Sequence, residues 1–390
     1  MIHVAEAKRR MMQAANALPA EIIPLAQAAG RFNLHDVVAP FDHPLFDCSA
    51  MDGYAFAFAE EVHQWTVVAE AAAGDAPARP LAKGECVRIF TGAMLPPGAD
   101  TVVMQERVLR EGNAVTHSDA KLRRGANVRP KGDQLRAGEV ALPAGSMLNA
   151  AAIGLLASVG VAQVAVAKRP RVALLISGDE FADGGTPGPG KIFGSNAMML
   201  EAALGEAAIA ARAVHVGDDH QALVSAWNAL QRDHDVIIST GGVSVGDHDL
   251  IPPSLAAIGA DIRFHGVMQK PGKPMLFGLL GGTAVFGLPG NPRAVMVLFL
   301  EYVLPFLRAR QGCAAPWMRS DLLPIAGNVE VKGSRAEFRA ARVFKGCVQL
   351  LADEGSHMLR TLAVANAIAF LPMDQRQWHH GDHVEVHYLD

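Results

Sequence analysis

Cysteine is scarce in this chain of 390 residues. The four present are Cys48, Cys86, Cys313 and Cys347, and no two of them form a C-x-x-C pair. That spacing points to neither a zinc ribbon nor a disulfide framework, and reduced thiols in a cytoplasmic protein are the plain reading. Charge is also low, at 19% of residues, while 50% are hydrophobic. A disordered chain needs the opposite balance. Aromatic residues make up only 6%, so the cores must come mainly from Ala, Val, Leu, Ile and Met. Thirty-five basic residues against thirty-nine acidic ones leave a net charge of −4. No global basic field awaits nucleic acid or an anionic membrane, although a local cationic pocket for a small anion remains open. No apolar run reaches the ~18 residues of a membrane span. The most apolar stretch, 294–307, contains Glu301 and reads as a buried helix. Near the N-terminus Lys8-Arg9-Arg10 leads into an amphipathic segment, not the apolar core of a signal peptide.

A single hydrophobic core rarely grows past ~250–300 residues, so several domains are expected. Residues 4–30 read as helices: Val4, Ala7, Met11, Met12 and Ala15 share one face, and Pro19 stops the first helix. From about 37 to 137, short apolar runs (65–69, 86–90, 101–105, 114–117) alternate with Gly/Pro turns, as in a β-rich module with hairpin-like spacing. Residues 138–168 return to a short strand, a helix over 150–159 and another strand. The β-rich part therefore reads as inserted (37–137) within a linker domain made of 1–36 and 138–168. Residues 169–312 alternate in a parallel α/β manner, with near-continuous apolar strands at 171–177, 208–215, 235–240 and 283–288. In such sheets ligands bind beyond the carboxyl ends of the strands. Residues 313–390 read as a small C-terminal β domain, with runs at 328–332, 336–344, 348–351, 367–371 and 384–388.

Five constellations carry chemical potential. In Ser239-Thr240-Gly241-Gly242-Val243-Ser244-Val245-Gly246-Asp247-His248-Asp249 the glycines permit close backbone approach, and hydroxyls and amides can receive anionic oxygens. Its carboxylates serve either a magnesium ion or a helix cap. Leu288-Pro289-Gly290-Asn291-Pro292 places Asn291 at an N-cap and Pro292 at the first helical position, a helix start that is also an anion site if exposed. Lys270-Pro271-Gly272-Lys273-Pro274 is either a solvated turn or a pair of point charges on an oxyanion. Ser177-Gly178-Asp179-Glu180 ends the first α/β strand with two carboxylates, suited to a cation, a base or a turn. Phe46–Ala55 is turn-rich, with Asp47 and Asp52 flanking small residues; Thr91 and Asp133 add polar groups to the same module. The C-terminal histidines (His379, His380, His383, His387) complete no clear ligand set.

These blocks together resemble the molybdopterin molybdenumtransferases, the MoeA family that includes the E domain of gephyrin. The stretches that carry the resemblance are SAMDGYA (49–55), RIFTG (88–92), KGD (131–133), SGDE (177–180), STGGVSVG (239–246), KPGKP (270–274) and LPGNP (288–292), in the family's order and over nearly the whole chain. SAMDGYA separates the family from the smaller molybdopterin adenylyltransferases, which share only the α/β domain. The resemblance implies an elongated subunit: a parallel α/β molybdopterin-binding domain, an inserted β-rich domain and a C-terminal β-barrel-like domain. It implies a homodimer whose cleft lies between the α/β domain of one subunit and the inserted domain of the other. The implied reaction converts adenylylated molybdopterin and molybdate, with magnesium, into molybdenum cofactor and AMP. By that resemblance catalytic roles would fall on Asp52, Thr91, Asp133, Glu180 and Asp249, with Glu180 and Asp249 on the metal. Gly241, Gly242, Ser244, Gly246, Asp219, Lys270, Lys273, Pro289 and Pro292 would bind the substrates. Expected partners are the molybdopterin adenylyltransferase and acceptor apo-molybdoenzymes. Rival readings are a non-catalytic carrier or scaffold, and molybdopterin adenylylation itself. Four positions depart from the family pattern: Cys48 for asparagine, Ser177 for threonine, Gly194 for aspartate, and Gly266 where some relatives have lysine.

Overall fold

The computed structural model describes residues 1–182, 186, 188–244, 246, 249–352, 355 and 357–389. Internal contacts divide the chain into two units. One comprises Met1–Glu21, Gly30–Leu34 and Val166–Asp390; the other comprises Ile22–Ala29 and His35–Ala165. The expectation of helices over 4–30 holds only at its start. Val4–Met12 is a helix that buries Val4, Ala7 and Met11, and it ends well before Pro19. Ala20–Pro24 is a strand and Leu25–Gln27 a single 3₁₀ turn. The β-branched pair Ile22-Ile23 between Pro19 and Pro24 favours extended backbone over a second helix.

The second unit holds a six-stranded sheet in the order Thr101–Met104, Gly53–Phe56, Glu85–Ile89, Gln64–Ala71, Ala114–His117, Val108–Glu111. Hairpin-like spacing gives one hairpin of consecutive strands, Val108–Glu111 with Ala114–His117; the other neighbours are not consecutive in sequence, except that Gln64–Ala71 and Glu85–Ile89 are, and these two run parallel. The Gly- and Pro-bearing stretch between them is a crossover, which parallel neighbours require. Phe56 stacks on Trp65 with ring centroids 4.1 Å apart, so two of the few aromatics anchor one face. Ala55, Val87, Ile89 and Val102 fill the other. Gly53 sits so close to its neighbour that a Cβ there would lie 1.9 Å from Val103 O, which only glycine tolerates.

The α/β sheet runs Ala211–Val216, Val172–Ser177, Val236–Thr240, Thr283–Leu288, Leu276–Leu280, Asp261–His265. The first four strands are parallel, as expected. The last two are antiparallel additions, so the sheet is mixed and not wholly parallel. The cause is Gly281-Gly282, which joins Leu280 to Thr283 in a two-residue turn that allows only an antiparallel return. Leu174, Ile176, Val236, Ile238, Phe277 and Phe286 pack on one face; Leu175, Ile237, Val285, Trp227 and Leu255 pack on the other. Burial on both faces explains the near-continuous apolar strands. The apolar helix after Pro292 is interrupted by a π turn, Phe299–Val303, before it continues as Leu304–Arg310. Pro305 has no N–H to give the Glu301 carbonyl, so the ladder opens there.

The C-terminal strands order as Gln269–Lys270, Ala336–Phe344, Ala367–Leu371, His383–Tyr388, Ser320–Pro324, with Cys347–Leu350 paired to Ala336–Phe344. Ile325 bridges to Val348, which curls the sheet toward closure. Its edge strand, Gln269–Lys270, comes from the α/β segment of the sequence, well before residue 313.

Candidate active site

Three parallel strands deliver the motif residues to one edge of the α/β sheet. Ile176 is in register with Thr240, and Thr240 with Leu288. The loops that follow begin at Ser177, Gly241 and Pro289. Ser177 Oγ donates to Thr240 O at 3.3 Å, and Gly241 N–H donates to Leu288 O at 3.1 Å. Gly241 has φ +89°, and a Cβ there would lie 2.7 Å from Ser177 O. Glycine is required on both counts, because the turn is left-handed and the two loops nearly touch.

A cavity of about 450 Å³ opens at this edge, walled by Ser177, Glu180, Phe181, Phe193, Asn196, Thr240, Gly241, Asn291 and Pro292. Asn196 opens the Asn196–Glu206 helix and donates from Nδ2 to Gly290 O at 2.9 Å, tying that helix to the LPGNP loop. Asn291 is the N-cap residue of the Pro292–Leu298 helix, but its side chain makes no capping bond. The expected helix start is present without the expected side-chain cap. A Cβ at Gly194 would lie 3.0 Å from Phe181, so the glycine departure lets that ring sit against the loop.

A second cavity, of about 530 Å³, is lined by Lys270, Gly272, Lys273, Pro289, Asn291 and Arg335. Asn291 lines both cavities. The second therefore gathers three cations: the two expected lysines, and an arginine that the sequence reading passed over. Arg335 Nη1 donates to Gln269 O at 3.2 Å, and Lys270 Nζ faces Glu337 Oε1 at 3.6 Å. Helped by neighbouring loop amides, such a set can hold a dianion.

The remaining α/β candidates are dispersed. Asp219 caps the His220–Asp233 helix, its Oδ1 accepting from Ala222 N–H at 2.7 Å, and it lines neither cavity. Asp249 Oδ2 accepts from Gly246 N–H at 2.7 Å. Ser244 and Gly246 are exposed, and Gly242 has φ +56°. Val245, Asp247 and His248 lie outside the described residues. Magnesium typically takes one or two carboxylates together with phosphate oxygens and water. Among the described residues no group of three His, Cys, Asp or Glu forms a ready metal cage. Glu180 in the cavity wall and Asp249 in the following loop offer hard oxygen donors, which fits that partial ligation.

In the other unit, Asp52 Oδ1 accepts from both the N–H and the Oγ1 of Thr91, each at 2.8 Å. The backbone bond from Thr91, then its hydroxyl, hold the Asp52 carboxyl below the usual carboxylate range, with Arg88 adding to the effect. Arg88 Nη1 donates to Gly53 O at 2.9 Å, and Gly92 N–H donates to Ser49 O at 2.8 Å. SAMDGYA and RIFTG are thus stitched into one structure. Asp133 is exposed on the turn closed by its own N–H donating to Pro130 O at 3.1 Å. Cys48 is buried and burial pushes its thiol up, which makes it an inert packing residue.

Residues 2–160 match the family model described as "MoeA N-terminal region (domain I and II)". Residues 173–309 match "Probable molybdopterin binding domain", and 323–389 match "MoeA C-terminal region (domain IV)". The chain is 37% identical to a molybdopterin molybdenumtransferase of Nostoc sp. over 91% of its own length and 85% of the relative's. The chain belongs to the molybdopterin molybdenumtransferase (MoeA) family. It is also 30% identical to the Haemophilus influenzae molybdopterin molybdenumtransferase, covering 94% of this chain and 93% of that one. The solved molybdopterin biosynthesis moeA protein of Pyrococcus horikoshii superposes with a TM-score of 0.86 at 25% identity, covering both chains in full.

Within this family frame, the sequence reading missed two wall residues, Arg335 and Asn196, as site candidates. No motif marks Asn196, which stands at the start of the Asn196–Glu206 helix. Arg335 stands just before a strand, and nothing local marks it; pairing with Gln269–Lys270 brings it to the lysine loop.

Proposed function

We propose that the chain inserts molybdenum during molybdenum cofactor biosynthesis, converting adenylylated molybdopterin and molybdate into molybdenum cofactor, AMP and water. The observation that carries this reading is the shared wall at Asn291 between an aromatic-sided cavity and a cationic one. A ligand with a flat heterocycle and oxyanion groups matches such a pair. Lys270, Lys273 and Arg335 would attract molybdate or phosphate oxygens, with Pro289 and Pro292 shaping the loop between. Gly241 and Gly242 would bring backbone amides to the phosphate, assisted by Ser244 and Gly246. The helix beginning at Pro292 would add its N-terminal dipole.

Phosphoryl chemistry of this kind depends on positioning and charge neutralisation more than on covalent catalysis. Asp52, kept ionised by Thr91, would orient the oxygen that attacks the pyrophosphate, and Asp133 would assist from its turn. Asp219 would act indirectly, as the cap of its helix. Magnesium, held by Glu180 and Asp249, would supply charge neutralisation at the pyrophosphate oxygens.

The same reading gives a homodimer, in which a partner subunit supplies the inserted module, and a cytoplasmic enzyme. The adenylyltransferase would hand over substrate, and apo-molybdoenzymes would accept product. The four-part division at 36/37, 137/138, 168/169 and 312/313 belongs to this proposal. Incubation with adenylylated molybdopterin, magnesium and molybdate tests it. AMP release that requires molybdate supports the transferase. Tight binding without release points to a carrier, and ATP-dependent formation of the adenylylated substrate points to an adenylyltransferase.

A further inference from the structure

The lysine loop is rooted in the C-terminal sheet. Gln269 and Lys270 pair in parallel register with Ala336 and Glu337, and Ala336 N–H donates to Met268 O at 3.1 Å. Gln269 is fully buried; its Nε2 donates to Pro271 O at 2.9 Å, and its Oε1 accepts from the Tyr302 hydroxyl. The backbone beneath Lys270 is therefore fixed. Its side chain is not fixed by packing, since 48% of it is exposed. A free lysine has many rotamers to lose when it binds an anion.

Glu337 supplies what the loop lacks. Only 4% of its side chain is exposed. Arg339 Nε and Nη2 approach its Oε2 at 2.7 and 2.6 Å, while Oε1 faces Lys270 Nζ at 3.6 Å. Each carboxylate oxygen serves a different cation. Arg339 orients the carboxylate, and the carboxylate draws the Lys270 ammonium toward the cavity wall. We propose that Glu337 is a positioning residue for anion binding, acting through Lys270, in a three-residue relay that runs from the C-terminal sheet into the cationic cavity. This rests on the reading that the cavity receives molybdate oxygens.

Two effects of removing Glu337 have opposite signs. Deleting a negative charge near a cationic cavity tightens a dianion, whereas freeing Lys270 weakens it. Arg339 already offsets the charge of Glu337, so the loss of positioning dominates. The test is the steady-state KM for molybdate in AMP release, measured for Glu337→Gln, Lys270→Gln and the double variant. The expected result is a KM raised about tenfold by each single change, kcat within about twofold, and a double variant no worse than Lys270→Gln alone. Glu337→Gln combined with Arg339→Leu removes both charges of the buried carboxylate's ion pair and covers the case where the single variant fails to fold; it should show the same KM rise. A lowered or unchanged KM, or a double variant whose defects multiply, overturns the relay while leaving the transferase intact. A wild-type protein without molybdate-dependent AMP release overturns both readings.

Discussion

Asp52 receives two hydrogen bonds from one residue, the backbone N–H and the hydroxyl of Thr91, both at 2.8 Å and both on Oδ1. The pair joins two motifs 39 residues apart and keeps the carboxyl ionised well below neutral pH. Thr91→Val removes the hydroxyl bond and leaves the backbone one, so the Asp52 pKa should rise part of the way toward its ordinary value. The acid limb of the kcat profile should then move to higher pH. Asp52→Asn should lose AMP release at every pH with an unchanged fold by circular dichroism. An acid limb that stays put in Thr91→Val would remove Asp52 from the reaction.

The buried Glu301 links the N-terminal helix to the last strand. Its Oε2 meets Lys8 Nζ at 2.7 Å, its Oε1 meets His387 Nδ1 at 2.6 Å, and Glu385 Oε1 lies 3.1 Å from His387 Nε2. Burial alone would push Glu301 up, but Lys8 and His387 outweigh it and hold the carboxyl below its ordinary 4.5. Burial alone would push His387 down, but the bond to Glu301 outweighs it and raises the imidazole above 6.5. The histidine's contribution to stability is therefore complete below pH 6.5 and is lost as pH rises through its raised native pKa. The glutamate's contribution is present above 4.5 and is lost as pH falls through its lowered native pKa. Glu301→Gln should cost about 3 kcal/mol near pH 6 and flatten the decline in stability above that pH. Urea unfolding midpoints across pH 5 to 9 measure both effects; parallel wild-type and variant curves would contradict the coupling.

Gly241→Ala places a methyl 2.7 Å from Ser177 O in a left-handed turn. The expected cost is about 2 kcal/mol of stability, together with weakened molybdopterin binding, because the loop must move away from the strand edge. Denaturant melts and pterin fluorescence report the two effects separately. Full binding in a stable variant would show that the close approach of these loops is dispensable.

Arg335→Leu should raise KM for molybdate by about tenfold or more, since it removes a cation from the cavity wall. Its thermal midpoint should change little, because among the described residues the guanidinium makes one long bond, at 3.2 Å to Gln269 O. An unchanged KM would confine the arginine to a structural role.

Arg335 also marks where sequence reading reached its limit. The strands 172–177, 236–240 and 283–288 were legible because burial on both faces leaves continuous apolar runs, and their loops carried the motif glycines. The return strand Leu276–Leu280 went unread although Gly281-Gly282 announces a hairpin. Ala20–Pro24, a strand, reads as helix in sequence because its isoleucines fit either period over so short a run. Arg335 and Glu337 reach the lysine loop through a parallel pairing that spans 67 residues of sequence, and no local pattern encodes that. Asp219 shows the converse: the resemblance makes it a substrate-binding residue, while its carboxylate is engaged as the cap of the His220–Asp233 helix.

The most direct test of the account is the stoichiometry of the reaction. Purified protein would be mixed with adenylylated molybdopterin, magnesium and labelled molybdate, and AMP and pterin-bound molybdenum counted in the same sample. One AMP should be released for each molybdenum retained, and neither product should form when molybdate is withheld. AMP released at the same rate without molybdate, or molybdenum bound with no AMP released, would contradict it.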